Sequence, residues 1–322
     1  MKFSLQARAG TEGRGGMKST MVAVVVALAM AASTARAWDS EGHMMVAAVA
    51  WKHLDDPSRA RVAQLLKLNP DYSKWIANIA PDQQAQIAFV TAATWPDAIK
   101  AEAGYIFDGE RPSGPAAAQN IGYSDHLQHR YWHFIDVPLS MDRTPLVQPI
   151  PPNAETQIQL FEAAIKSDSV SDDIKSYDLV WLEHLVGDVH QPLHATSRFS
   201  QQLPNGDQGG NLVALCEKPC RTELHGFWDD ILGTSKSPTI AIVEAERLGA
   251  APETGAAIAD EKVWIEESFA AARQYAYAPP VGPGAGPYQL DAHYRQNART
   301  EAQARVALAG VRLANLINSN LR

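Results

Sequence analysis

Trp181-Leu-Glu-His-Leu-Val-Gly-Asp188, followed at once by Val-His-Gln-Pro-Leu-His194, is the stretch on which the reading of the chain turns. Upstream of it, Leu179, Leu182 and Val186 recur with a helical period, and Asp172 or Asp173 is suited to open the helix. His184 and Asp188 stand one turn apart, so a helix projects both from the same face. That geometry lets one helix offer an imidazole and a carboxylate to a single metal ion. Pro192 ends or bends the helix and can turn His194 toward a neighbouring metal. One such pair is more often a surface ion pair. A second, His225 and Asp229 in Leu224-His-Gly-Phe-Trp-Asp229, repeats the spacing in another apolar context, and the two together are informative.

Working outward, the apolar pattern stays helical. Asp56-Pro57 reads as an N-cap and first-turn proline before Val62, Leu65 and Leu66. Asn153 caps a helix with Ile158, Phe161 and Ile165. Ser237-Pro238 opens one with Ile242, Ala245 and Leu248. Ala302, Val306, Ala309, Leu313 and Leu316 form a stripe near the C-terminus. Residues 108–122, 138–152, 199–210 and 279–287, rich in Gly, Pro, Ser or Asn, read as loops. Alternating strand patterns are scarce. The expected fold class is all-α, a single mostly helical domain with long loops.

The 322 residues are 46% hydrophobic and 20% charged, ordinary for a globular chain. Lys18, the apolar run Met21–Ala32 and Ala35-Arg36-Ala37 read as a signal peptide over residues 1–37, cleaved before Trp38. A membrane anchor is the competing reading. The run is short of the roughly 20 residues a span needs, so no stable membrane association is expected. Residues 1–37 hold five of the 28 basic and one of the 36 acidic side chains. The remaining 285 residues therefore carry 23 and 35, a formal charge of −12. That argues against a broad basic groove for nucleic acid, though not against a polyanion substrate if the site brings its own cations. Cys216 and Cys220 are expected to form one small disulfide in an exported protein.

Further candidates surround the two pairs: His133 in Tyr131-Trp-His-Phe-Ile-Asp136, Asp97 in Thr94-Trp-Pro-Asp97, and His43 close behind Trp38. His and Asp are zinc ligands, and zinc lowers the pKa of bound water to about 7 while acting as a Lewis acid. A cluster of such ions suits phosphodiester hydrolysis, which needs a nucleophile, neutralised phosphoryl oxygens and a stabilised leaving oxygen.

Taken in order, Trp38-Asp-Ser-Glu-Gly-His43, Trp95-Pro-Asp97, His133-Phe-Ile-Asp136, His184-Leu-Val-Gly-Asp188, Gln191-Pro-Leu-His194, Gly209-Gly-Asn211 and Leu224-His225 with Trp228-Asp229 resemble the trinuclear-zinc, single-strand-specific nucleases (S1/P1 type) of fungi, plants and bacteria. The resemblance covers the chain from Trp38 to the C-terminal helix. It implies three zinc ions and a fold related to zinc-dependent phospholipase C. Trp38 would bind one zinc through its free α-amino nitrogen and carbonyl oxygen, beside His43. Asp97, His133 and His184 would hold a second, with Asp188 bridging the two. His194, His225 and Asp229 would hold the third. Asp97 would also orient the attacking water, Phe134 would stack on a nucleobase, Asp136 would bond its edge, and Asn211 would sit beside the substrate. The implied substrates are single-stranded DNA, RNA and 3′-nucleotides, and the products 5′-mononucleotides; a monomer is expected, and the signal peptide places it in the periplasm or outside the cell.

Two departures stand out. Lys100 occupies the position where the family commonly has a phosphate-contacting arginine, and loses that residue's planar fork. The loop at 199–208 is longer than in short fungal forms and is able to narrow a base cleft. Among the other histidines, His126 and His129 lie in a polar loop and are expected to be solvated. His53 reads as surface or packing, His293 lies among polar residues without motif support, His190 falls between ligands with a place behind them as the lesser reading, and Asp207 reads as a turn residue. The rival functions are a zinc-dependent phospholipase C and a helical zinc-binding protein without catalysis.

Overall fold

A computed structural model of the chain describes residues 38–216 and 222–321. The expected signal peptide lies outside the described residues, as does Cys220 and with it the expected pairing to Cys216. Along the chain run α1 (Ser40–His53), α2 (Asp56–Leu66), a single-turn α3 (Tyr72–Trp75), α4 (Gln84–Ala92), a single-turn α5 (Trp95–Ala98), α6 (Ala154–Lys166) and α7 (Asp172–Asp188). They are followed by α8 (Leu224–Asp229), α9 (Pro238–Ala245), a single-turn α10 (Glu253–Ala256), α11 (Glu261–Ala271) and α12 (Ala292–Asn320). The architecture is mostly helical, as the periodicity implies.

The helix starts follow local chemistry. The Asn153 side chain accepts from the Thr156 amide while the Thr156 hydroxyl accepts from the Asn153 amide, a reciprocal cap. The Ser237 hydroxyl accepts from the Ile240 amide with Pro238 in the first turn. For α2 the cap is one residue earlier than expected: Asp55, not Asp56, accepts from the Ser58 amide. Helix α7 starts at Asp172, with Ser171 before it.

Two helices form the centre. Residues Lys175–Asp188 of α7 are all buried, as is nearly every residue of α1 from Glu41 to Ala50. Both are enclosed on all sides rather than along one stripe. Helix α1 packs against α4, α7, α9 and α12. It comes close to α12 at Gly310, where a Cβ would lie 2.5 Å from Val49 Cβ. The expected stripe on α12 faces this core, and Ala302, Val306, Ala309, Leu313 and Leu316 are buried. No helix among the described residues is long and apolar enough to cross a membrane.

Two of the expected loops are partly ordered as strand. β1 (Pro138–Ser140) and β2 (Ser197–Phe199) pair in parallel, with Pro138 opposite Ser197 and Ser140 opposite Phe199. Three residues are too few to show alternation, and the partner lies far along the chain, so no local pattern announces the pairing.

Candidate metal centre

The proposed side-chain ligands arrive from six segments of the chain. His43 comes from α1, Asp97 from α5, and His184 and Asp188 from α7. His133 follows a short turn at Arg130–Trp132, while His194 lies in the turn Pro192–Ala195. His225 and Asp229 come from α8. The His–Asp spacing works as the sequence implies: both pairs lie on helices, at 3.3 Å for His184 Nε2 to Asp188 Oδ2 and 3.5 Å for His225 Nε2 to Asp229 Oδ2. Helix α7 ends at Asp188, and the turn after it brings His194 back to His225, with their Nε2 atoms 3.1 Å apart.

Three groups of side chains lie close enough to share an ion: His43, Asp97 and His184; His133, His184 and Asp188; and His194, His225 and Asp229. The last matches the third expected set. The first two share His184, so the two other expected sets merge into one cluster. Asp188 sits inside it, with Oδ1 3.4 Å from His43 Nε2 and Oδ2 3.1 Å from His133 Nδ1. The rings of His43 and His184 stack at 3.8 Å. Close packing depends on Gly187, where a Cβ would lie 2.9 Å from His43 Nδ1.

The donor chemistry fits a cation. His184 Nδ1 donates to the Ala93 carbonyl, His194 Nδ1 to the His133 carbonyl and His225 Nδ1 to the Gly209 carbonyl. Each bond fixes the tautomer and leaves Nε2 as a lone pair aimed inward. Both nitrogens of His43, Nε2 of His133 and Oδ1 of Asp188 are buried with no hydrogen-bond partner. Unpartnered buried polar atoms are costly unless something satisfies them, and a metal ion would do so here. Burial, reinforced by neighbouring His184, keeps the His43 imidazole well below its ordinary pKa. At His184 burial, with the Lys100 charge adding to it, outweighs Asp97 and pulls the imidazole down to about 4. Neutral imidazoles are the metal-binding form.

Lys100 is buried beside this cluster, its Nζ 2.6 Å from Asp97 Oδ1. Burial opposes ionisation of Asp97, but the Lys100 charge and His184 overcome it and hold the carboxyl below the usual range. Trp38 is buried against the same centre. Its indole N–H donates to the Gly187 carbonyl at 3.1 Å, and the next amide, Asp39, donates to the Asp229 carbonyl at 3.0 Å. The start of the described chain is thereby pinned between α7 and α8.

The base-binding candidates lie at the rim. Phe134 is half-buried against the core. Asp136 is half-buried, and burial with neighbouring Asp207 pushes its carboxyl up to about 6 although Arg111 pulls the other way. Asn211 donates to the Gln208 carbonyl within its own turn. The glycines before it serve the metal side: Gly209 takes φ +61°, which lets its carbonyl reach His225.

Several residues differ from expectation or escaped it. His126 is exposed, but His129 is fully buried, not solvated. Its ring stacks on Trp132 at 3.6 Å, its Nε2 lies 2.9 Å from Asp125 and its Nδ1 3.3 Å from Asp108. Asp207 is no mere turn residue: it accepts from the Arg198 amide and the Tyr277 hydroxyl and is fully buried. It folds the 199–208 loop back, and the loop is further tied to Asp142 by the Gln201 amide. His190 has other hydrogen-bond partners: Nδ1 donates to the Val186 carbonyl and Nε2 accepts from Arg312. The ligand-supporting residue most clearly missed is Gln191. Its Oε1 accepts from the Leu193 amide and its Nε2 donates to Asp229 Oδ1 at 2.7 Å. Its place between Asp188 and His194 was the available signal.

A family model for S1/P1 nuclease matches residues 38–322, the whole stretch that carries these side chains. Endonuclease 4 of Arabidopsis thaliana is 23% identical over 223 residues, covering 65% of this chain and 59% of the relative. Endonuclease 2 of the same plant is also 23% identical over 223 residues, covering 69% of this chain and 65% of the relative. The chain thus spans less than two thirds of the length of either curated relative. The match spans the stretch that holds every proposed ligand, and the chain belongs to the S1/P1 nuclease family.

Proposed function

We propose that this chain is an exported zinc-dependent phosphodiesterase that hydrolyses single-stranded DNA and RNA to 5′-mononucleotides and also removes phosphate from 3′-nucleotides. The observation that carries the proposal is the buried position of Asp188, with His43, His133 and His184 all within 3.4 Å of its carboxylate. One carboxylate among so many imidazoles suits a bridge between two ions. We assign Trp38 and His43 to one zinc, Asp97, His133 and His184 to a second, Asp188 to both, and His194, His225 and Asp229 to a third. When bound, the ions supply Lewis acidity and a water of lowered pKa.

The protein's own groups do the rest. Asp97 accepts a hydrogen bond from the attacking water and fixes its direction. Lys100, held against Asp97, places a positive charge where the phosphoryl oxygens gain negative charge. Phe134 offers a face to one base, and only an unpaired base can leave its neighbours to stack there. Asp136 and Asn211 bond the base edge and adjoining sugar-phosphate. Both curated relatives are named endonucleases, which favours this reading over a phospholipase C.

Export rests on the segment before Trp38, and the free α-amine that the first zinc needs arises only by cleavage after Ala37. Purified mature protein should begin at Trp38. The deciding assay is release of 5′-mononucleotides from single-stranded DNA with and without chelator, run beside phosphatidylcholine and with zinc analysis. Chelator-sensitive release is expected. Its absence, or hydrolysis of phosphatidylcholine alone, overturns the proposal.

A further inference from the structure

Phe107 stands apart from the residues of the metal centre. It is a large apolar ring with 51% of its surface exposed, in a chain with a net charge of −8. It is not loosely held. On one side the Ile106 amide donates to the His126 carbonyl and the Ile106 carbonyl accepts from the Gln128 amide. On the other, Asp108 accepts from the His129 amide and the Tyr131 hydroxyl. The backbone is thereby pinned on both flanks while the ring faces outward.

One face of the ring is covered. The Arg130 guanidinium lies over it, with Cζ 4.7 Å from the centroid. Arg130 is itself fixed: its Nε donates to Gln128 Oε1, and Gln128 Nε2 donates to the Lys100 carbonyl. Two hydrogen bonds and one ring contact therefore connect Phe107 to Lys100, whose ammonium sits on Asp97. Arg130 also pairs with Glu110 at 3.3 Å, so its charge is already partly matched. What remains on offer is the uncovered face of the phenyl ring rather than a bare cation for phosphate.

We infer that Phe107, backed by Arg130, is a second base-stacking platform, which takes a nucleobase of the single-stranded substrate beyond the nucleotide held at Phe134. The inference rests on the nuclease reading above. The ligand class follows from chemistry. An aromatic ring backed by a guanidinium is the surface on which bases of any identity stack. The acidic balance of the chain leaves little general attraction for a polyanion, so stacking has to supply much of the grip outside the metal centre. A mononucleotide whose one base is held at Phe134 has no second base to offer, so the platform acts only on longer strands.

The test is the preference of the zinc-loaded enzyme for decathymidylate over thymidine 3′-phosphate, read as the ratio of their KM values. Loss of one stacked base should reduce that preference in Phe107→Ala about five- to a hundredfold. Phe107→Trp, which keeps an aromatic face, should retain it to within about twofold. A preference in Phe107→Ala within about twofold of wild type overturns the platform, whether both KM values stay put or both rise together. So does an equal loss in Phe107→Trp. If the wild type cleaves neither substrate, the nuclease reading fails first, and the wild-type rates distinguish that outcome.

Discussion

At the scale of single residues, the amide of Gln191 is the clearest case of a side chain that prepares another. Its Oε1 is committed to the Leu193 amide, so its orientation is fixed and Nε2 must face Asp229. That N–H occupies Oδ1 of Asp229 and leaves Oδ2 on the side of His225. The same bond lowers the cost of keeping a buried carboxylate ionised, which burial otherwise opposes strongly. Gln191→Leu removes both bonds while preserving much of the volume. Partners of this kind typically change metal affinity or activity by about 10–100-fold when lost. We expect the variant to lose about one zinc per chain by elemental analysis, with nuclease activity falling in parallel. Retention of every zinc at wild-type affinity would show that Asp229 needs no such support. Only its place between Asp188 and His194 was legible beforehand. The residue lies in a motif already full of ligands, and an amide gives no sign in sequence of which backbone group it will bind.

At the scale of elements, the segment from Phe107 to His133 is held by a buried charge cluster rather than by a helix. Burial pulls the His129 pKa down, but hydrogen bonds to Asp108 and Asp125 outweigh it and raise the pKa above the ordinary value of 6.5. With a carboxylate near each ring nitrogen, the ring is favoured in its doubly protonated form. A group whose pKa is raised by folding stabilises most below its unfolded pKa and loses that contribution as pH rises through the folded value. The stability advantage of the wild type over His129→Gln should therefore be largest near pH 6, on the order of 3 kcal/mol for breaking a buried pair, and shrink as pH is raised above that. Urea midpoints across this range check it, and an advantage that grows with pH would contradict the assignment. Comparison with the His–Asp pairs of α7 and α8 shows what sequence can reveal. Those pairs lie on helices, where spacing maps directly onto geometry. His129 has φ +44° and one of its two acids, Asp108, lies 21 residues away, so its loop context gave no hint of burial. The paired strands β1 and β2 were hidden for the same reason, being short and joined across 59 residues.

At the scale of the whole molecule, the centre is a set of charges that the fold cannot neutralise alone. Asp97, Asp188 and Asp229 converge among α1, α5, α7 and α8, and Lys100 is the cation that pairs with one of them. Burial pushes the Asp188 and Asp229 carboxyls well above their ordinary range, which means that ionising them in the bare protein is unfavourable. Bound ions reverse that balance, because they favour the ionised form and satisfy the unpartnered histidine nitrogens. They would also tie together elements far apart in sequence, from His43 near the start of the described chain to Asp229 on α8. Ligand binding to the folded state alone contributes about 2.7 kcal/mol for each site held at 100 times its Kd. For a domain of this size, each kcal/mol moves Tm by about 2–4 °C. Stripping the ions should thus lower Tm by at least about 10 °C, and zinc added back should restore it. Scanning calorimetry on the same sample before and after chelation, with metal content measured at each step, is the direct check. A Tm that holds within about 2 °C after complete metal removal would mean that the helices close this cluster without help, and that the buried carboxylates are protonated rather than waiting for a cation.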